Sequence, residues 1–140
     1  MQFRQATEAD APLLARLNRQ LIEDEGHRNP MTLPELEARM RGWLQSVYEA
    51  IIFEQGGAEV AYALYRYDPD AIYLRQFFVH RQHRRQGIGR QALQLLQAEV
   101  WPPGRRMTVE VLVHNQAAYA FWKSLGFQDY AITLEMFPQK

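Results

Sequence analysis

The residues best able to do chemistry crowd the middle of the 140-residue chain, in VHRQHRRQGIGRQALQ, where Arg81, Arg84, Arg85 and Arg90 surround Gly87 and Gly89. An apolar, aromatic run from about Ile72 to Val79 enters this loop, and an amphipathic helix leaves it at once. That order builds a cradle for an anion. Loop N–H groups and the positive end of the helix dipole converge on one point, and glycine removes the Cβ that would bar close approach. A pyrophosphate is the natural guest. An opposite patch lies near residue 24, where Glu23, Asp24 and Glu25 follow one another. Together the two patches suit an anionic ligand on one side and a cationic one on the other. Proton transfer needs a carboxylate, a histidine or ordered water. The run 72–79 offers no acid, which leaves Asp24, Glu25, His27, Glu110 and His114.

These side chains must be held by regular elements. Gln2 to Gln5 reads as a first strand. Thr7 with Asp10, or Asp10 with Pro12 in the first turn, caps a helix to about Glu25 whose Leu13, Leu14, Leu17 and Leu21 share one face. Asp24 and Glu25 lie one turn past Leu21 and point to the buried side, whereas Glu23 points away. Gly26 and Asn29-Pro30 break the helix, and Thr32-Leu33-Pro34-Glu35 is a capping box opening a second one to about Gln45. Its stripe is Leu36, Met40, Trp43 and Leu44. Tyr48 to Glu54 and Glu59 to Tyr67 then read as strands joined by the turn Gln55-Gly56-Gly57-Ala58.

Asp68-Pro69-Asp70 turns the chain into the central strand, and Pro102-Pro103-Gly104 stops the central helix. Arg106 to Val113 is a fifth strand, parallel to the central one because a helix connects them. Asn115 caps a fourth helix with Ala118, Phe121, Trp122 and Leu125 as its stripe, Gly126 closes it, and Asp129 to Phe137 reads as a last long strand.

Composition narrows the classes. The length suits a single domain with a real core. Lysine plus arginine equals aspartate plus glutamate at 16 each, so no net field draws the chain to nucleic acid. Cysteine is absent, which excludes disulfides, thiolate metal sites and a cysteine nucleophile. No apolar run reaches membrane-spanning length and the first residues lack a signal-peptide core, so a cytoplasmic protein with no membrane partner is expected. His80 and His83 form a poor metal pair, with arginines around them and no carboxylate beside them; no metal is expected.

Gly87-x-Gly89-x-x-Ala92 matches a dinucleotide fingerprint literally, and Glu110 even falls near the position of a ribose-binding acid. In that fold the first glycine sits at the strand's end, whereas here His80 to Gln86 intervene, and only one βαβ unit is present. A Walker A loop is excluded, since no Gly-Lys-Ser/Thr follows. The better match is Q/R-x-x-G-x-G/A, here Arg84-Arg85-Gln86-Gly87-Ile88-Gly89. With the later block Asn115-x-x-Ala118-x-x-x-Trp122-x-x-x-Gly126-Phe127, in order and at the right distance, the chain resembles the GNAT superfamily of acyl-CoA-dependent N-acetyltransferases over essentially its whole length.

That resemblance implies an α/β (α+β) fold: a mixed, mostly antiparallel twisted sheet of six to seven strands, about four flanking helices, and splayed parallel central strands. It implies acetyl-CoA as cosubstrate. Arg84, Arg85, Gln86, Gly87, Ile88, Gly89 and Arg90 would hold the pyrophosphate, and the main chain of Phe77, Phe78 and Val79 would pair with the pantetheine. Asn115 matches the family asparagine that contacts the cofactor, and Trp122 packs beside it. A neutral amine would attack the thioester directly. Trp122 stands where the family usually has the tyrosine that protonates the departing thiolate, and an indole N–H is no useful acid. Tyr119, one turn earlier, or water can take that part. Asp24 or Glu25 is the candidate to bind the acceptor. The acceptor is expected to be a small cationic amine or a peptide, set by residues 23–31 and 128–137, and homodimerisation is open. The alternative is a non-catalytic acyl-CoA sensor or interaction module of the same fold.

Overall fold

The computed structural model describes residues 1–84 and 86–139, in two compact units, Met1–Glu110 and Val111–Lys140. The first unit runs β1 (Gln2–Gln5), α1 (Ala11–Glu25), α2 (Leu33–Leu44), β2 (Tyr48–Gln55), β3 (Ala58–Tyr67), β4 (Ile72–Val79), α3 (Ile88–Leu95) with a π-helical turn Leu96–Val100, and β5 (Met107–Val109). The second contains α4 (Gln116–Ser124). The strands form one sheet in chain order, antiparallel from β1 to β4 and parallel between β4 and β5.

The class is the expected mixed, mostly antiparallel sheet with four helices, but with five strands in place of six or seven. The shortfall is C-terminal. The strand expected at 106–113 pairs only over Met107–Val109, and none forms over 129–137. Tyr130, Ile132, Leu134 and Met136 have the period-2 alternation of a half-buried strand, yet all are more than four-fifths exposed, at 84%, 83%, 88% and 92%. Alternation specifies a face; a strand also requires a ladder partner.

Capping chemistry places α1 and α2 as the sequence indicates. The Asp10 carboxylate accepts from the Thr7 N–H (2.8 Å) and from Arg4 Nη1 and Nη2 (3.0 and 2.9 Å), tying β1 to the start of α1. Thr32 and Glu35 make the reciprocal box, with Glu35 N–H donating to Thr32 Oγ1 (3.3 Å) and Thr32 N–H to Glu35 Oε1 (2.9 Å). Gly56 and Gly57 take φ of 61° and 82° in the β2–β3 hairpin, the left-handed pair such a turn requires.

The Arg4 guanidinium holds the Asp10 carboxyl below its ordinary value, and stability from a depressed acid is present above the unfolded pKa and lost as pH falls. Asp10→Asn should therefore lower Tm at neutral pH, by about 1 kcal/mol of stability. The gap to the unmodified protein should close below the ordinary aspartate value of 3.8, as melting curves at two pH values would show.

One face of the sheet carries α1 and α2, through Leu14, Leu17, Leu21 and Met40 packed on Tyr48, Ala50, Ile52, Tyr62, Leu64 and Phe78. Ile51, Phe53, Ala61, Ala63 and Tyr65 alternate to the opposite face and are buried there. On that side Tyr65 meets Trp101 edge-on at 5.4 Å, and α3 packs on β3 and β4.

Candidate active site

The site begins with a strand that outruns its neighbour. β5 pairs with β4 only as Ile72–Met107, Tyr73–Thr108 and Leu74–Val109, while β4 continues to Val79. Beyond Leu74, β4 keeps its β3 ladder, with Phe77 opposite Ala63, Phe78 opposite Tyr62 and Val79 opposite Ala61. The register slips where the two ladders part. Leu64 faces Gln76 and Tyr65 faces Leu74, so Arg75 is the extra residue of a β-bulge. A bulge bends its strand, increases the local twist and re-aims side chains. The β4–β5 ladder therefore ends next to the bulge residue Arg75.

The loop after Val79 is anchored to the end of α1. His80 N–H donates to the Val60 carbonyl (2.8 Å), and the His80 ring accepts from Gln82 N–H at Nδ1 (3.2 Å). Burial first, then the charges of His83, Arg81 and Arg84, push the His80 pKa down, which favours a neutral ring. Arg81 Nη2 reaches Asp24 Oδ1 (3.1 Å), and Arg81 N–H donates to Gln20 Oε1 (3.1 Å). Arg84 Nε donates to the Val79 carbonyl (3.1 Å), and its Nη2 pairs closely with Asp24 Oδ2. Carboxylates at a helix C-terminus oppose the dipole; here both Asp24 oxygens are engaged by loop arginines. Arg85 lies outside the described residues. Gly87, at φ 73°, turns the chain into α3, and among the described residues beyond its two chain neighbours a Cβ placed there would meet no heavy atom within 4 Å. The residue is glycine for its backbone angle, and the space beside it is open. First-turn N–H groups of α3 point out of that helix end.

Glu25 is half-buried, with its side chain 28% exposed against 61% for Glu23, whereas Asp24 is an exposed residue whose side chain, 18% exposed, is paired with Arg81 and Arg84. Glu25 Oε1 lies 3.1 Å from His27 Nε2, and its charge is felt by the buried Tyr62 phenol. Tyr62 donates to Gln76 Oε1 (2.8 Å), and burial drives its pKa upward. Asn18, the buried polar residue of α1, accepts from Arg39 (3.0 Å). Tyr73 donates to Glu110, which stands just past β5; burial first, and then that carboxylate, push the Tyr73 pKa up to about 12.

In the second unit Asn115 Oδ1 accepts from Ala118 N–H (3.1 Å), the helix cap read from the sequence. Trp122 is 8% exposed and packs edge-on against Phe121 (4.9 Å) and Phe127 (5.0 Å). The Tyr119 hydroxyl, on the exposed side of α4, donates to Asp129 Oδ1 (2.8 Å), whose carboxylate raises the phenol's pKa.

Comparison with known proteins decides the family. The Acetyltransferase (GNAT) family model matches residues 15–127. The chain belongs to that family. It is 28% identical to a thialysine N-epsilon-acetyltransferase of Bos taurus, over 91% of this chain and 84% of that one. A possible acetyltransferase from Clostridium difficile 630 shares the fold at TM-score 0.78 and 17% identity, covering 99% and 97% of the two chains. A predicted acetyltransferase from Clostridium acetobutylicum, solved with acetyl-CoA, gives 0.74 at 19% identity, covering 97% and 95%.

As a GNAT chain it brings together in its first unit Phe77, Phe78, Val79, Arg84, Gln86, Gly87, Ile88, Gly89 and Arg90 in one continuous stretch, with Asp24 bonded to the same loop. Tyr119 and Trp122 fall on α4 of the second unit, and Asn115 is its N-cap. No helix among the described residues is long and apolar enough to cross a membrane. Sequence reasoning missed the bulge residue Arg75 and the arginine–aromatic cluster it joins with Arg39, Trp43 and Tyr48. The signal was present in two consecutive polar residues, Arg75-Gln76, inside an otherwise apolar strand.

Proposed function

We propose that the protein, acting as one domain over residues 1–140, transfers an acetyl group from acetyl-CoA to a primary amine of a small cationic acceptor or peptide. The observation that carries this is the end of the β4–β5 ladder at Leu74–Val109, while β4 runs on to Val79 and leads through a basic loop to Gly87 and the start of α3. A cosubstrate with an anionic end and an amide-bearing arm fits that stretch. Gly87 leaves open space at the helix N-terminus, Arg84 and Gln86 flank it, and the main chain of Phe77–Val79 supplies amide partners. Asn115 and Trp122 are the further candidates for cofactor contact.

The thioester supplies an activated acyl carbon. The acceptor ammonium first loses a proton, for which Glu25 is the candidate base. The lone pair of the neutral amine then forms the C–N bond as the C–S bond breaks. The thiolate takes a proton from Tyr119 or water, and the second proton shed by the nitrogen returns through water to that donor, leaving amide and CoA thiol. Asp24 has a different part in this reading: with both oxygens on arginines, it positions the loop.

The sensor reading keeps one observation in its favour, the buried Trp122 where the family usually has tyrosine. Thiol release from acetyl-CoA across a panel of amines separates the two. The chain has no cysteine to give background. Release with one amine class supports the transferase. Calorimetric binding of acetyl-CoA with no release from any amine favours the sensor.

A further inference from the structure

The polar cluster on the α1–α2 side of the sheet is short of negative charge. Three guanidiniums gather about the Trp43–Tyr48 ring pair, whose centroids are 5.9 Å apart. Arg39 and Arg75 lie 4.6 and 4.8 Å from the Trp43 centroid, and Arg66 lies 5.5 Å from that of Tyr48. Arg66 has a carboxylate, Asp68, at 2.8 Å. Among the described residues, Arg39 and Arg75 have none within ion-pairing range. Arg39 donates to the neutral Asn18 (3.0 Å), and its Nε is buried without an acceptor. Arg75 shares the Tyr48 hydroxyl with Arg66, at 3.2 and 2.7 Å. Two cations on one neutral oxygen, beside a third with an unmet buried donor, repel one another. Burial and the charge of Arg75 accordingly lower the pKa of Arg39. Ring contacts hold such guanidiniums in place without neutralising them.

Position gives the cluster its meaning. Arg75 is exposed, is the extra residue of the bulge, and stands where the β5 ladder ends. Phe77 is two residues on, about 7 Å along an extended strand. A planar guanidinium matches a carboxylate by two parallel N–H···O bonds.

We propose that the acceptor carries a carboxylate as well as its amine, and that Arg75, with Arg39 behind it, binds that carboxylate. The inference rests on the transferase reading and narrows it. Amino acids and chains ending in a free carboxylate are preferred acceptors, and polyamines and aminoglycosides are poor ones. Arg75 is a specificity residue that touches the acceptor away from the reacting nitrogen.

The test compares kcat/KM for thiol release with a set of amino acids, each against its own methyl ester and with 1,5-diaminopentane as a carboxylate-free amine, for the unmodified protein and Arg75→Gln. An acid should outrun its ester by about 10- to 100-fold, the size of a charged hydrogen-bonded contact. Arg75→Gln should close that gap, leaving the ester rate and acetyl-CoA affinity unchanged. The proposal is overturned if the best acceptor lacks a carboxylate, or if the gap survives Arg75→Gln. If no amine releases thiol, the same acids are titrated calorimetrically in the presence of CoA. Binding that needs Arg75 then upholds the carboxylate site while the transferase reading falls, and absence of Arg75-dependent binding overturns the site.

Discussion

Gly87→Glu should weaken acetyl-CoA binding by more than about a hundredfold while leaving a folded protein. The backbone there sits at φ 73°, so any L side chain carries a cost of about 1–2 kcal/mol. Among the described residues beyond its chain neighbours an added Cβ meets nothing within 4 Å, so the cost to the free protein is the backbone strain. In the complex the new carboxylate faces a pyrophosphate, and two unit charges 4 Å apart near a surface repel by about 4 kcal/mol. With tenfold for each 1.4 kcal/mol, that repulsion alone exceeds a hundredfold in affinity. Gly87→Ala isolates the backbone component, which the free protein already carries, so it should lower Tm and change acetyl-CoA affinity far less than Gly87→Glu. Arg84→Glu should act in the same direction as Gly87→Glu, because it also introduces a negative charge at the cradle. Calorimetric titration with acetyl-CoA, alongside melting curves, reads all three. Full affinity in a normally melting Gly87→Glu protein would remove the cradle from this loop.

The parts of this site that were legible in the sequence are those written in a few adjacent residues. Thr32 and Glu35, Gly56-Gly57 and Gly87 each dictate a local conformation, and each forms the turn or cap its chemistry requires. Helical periodicity also sufficed to tell the more covered Glu25 from the exposed Glu23, but Asp24 is an exposed residue paired with loop arginines. What escaped depends on partners far away in the chain. The bulge at Arg75 is a mismatch between β3 and β4, and no single strand states it. Trp43 read as one more member of an apolar stripe; it packs on the core, but its ring also carries Arg39 and Arg75. The engagement of Asp24 by Arg81 and Arg84 joins a helix end to a loop much later in sequence. At 129–137 the alternation was present and the ladder was not, which is why a pattern sufficient for a face failed to make a strand.

The neighbouring carboxylates Asp24 and Glu25 should separate cleanly in kinetics. Glu25→Gln keeps the size of the side chain and removes the charge that can take the acceptor's proton, so kcat/KM for the amine should fall by about 10²- to 10⁴-fold, the range of general-base catalysis. Acetyl-CoA affinity should change far less than the amine's kcat/KM, since the Glu25 carboxylate lies at the end of α1 beside His27 (3.1 Å). Asp24→Asn should do the reverse. It loosens two arginine ties, each exposed enough to be worth about 1 kcal/mol or less, leaving the Arg81 guanidinium, among the described residues, the exposed Glu23 at 3.6 Å. Arg84 remains tethered through Nε to the Val79 carbonyl, so losing Asp24 disorders the loop more than it frees a cation for phosphate. The expected result is a several-fold rise in KM for acetyl-CoA with kcat nearly unchanged. Steady-state kinetics with each substrate varied in turn distinguishes the two. Alanine at both positions with acceptor KM and rate unaltered would take the acceptor away from the end of α1, and the proton would then have to leave through Glu110, His114 or ordered water.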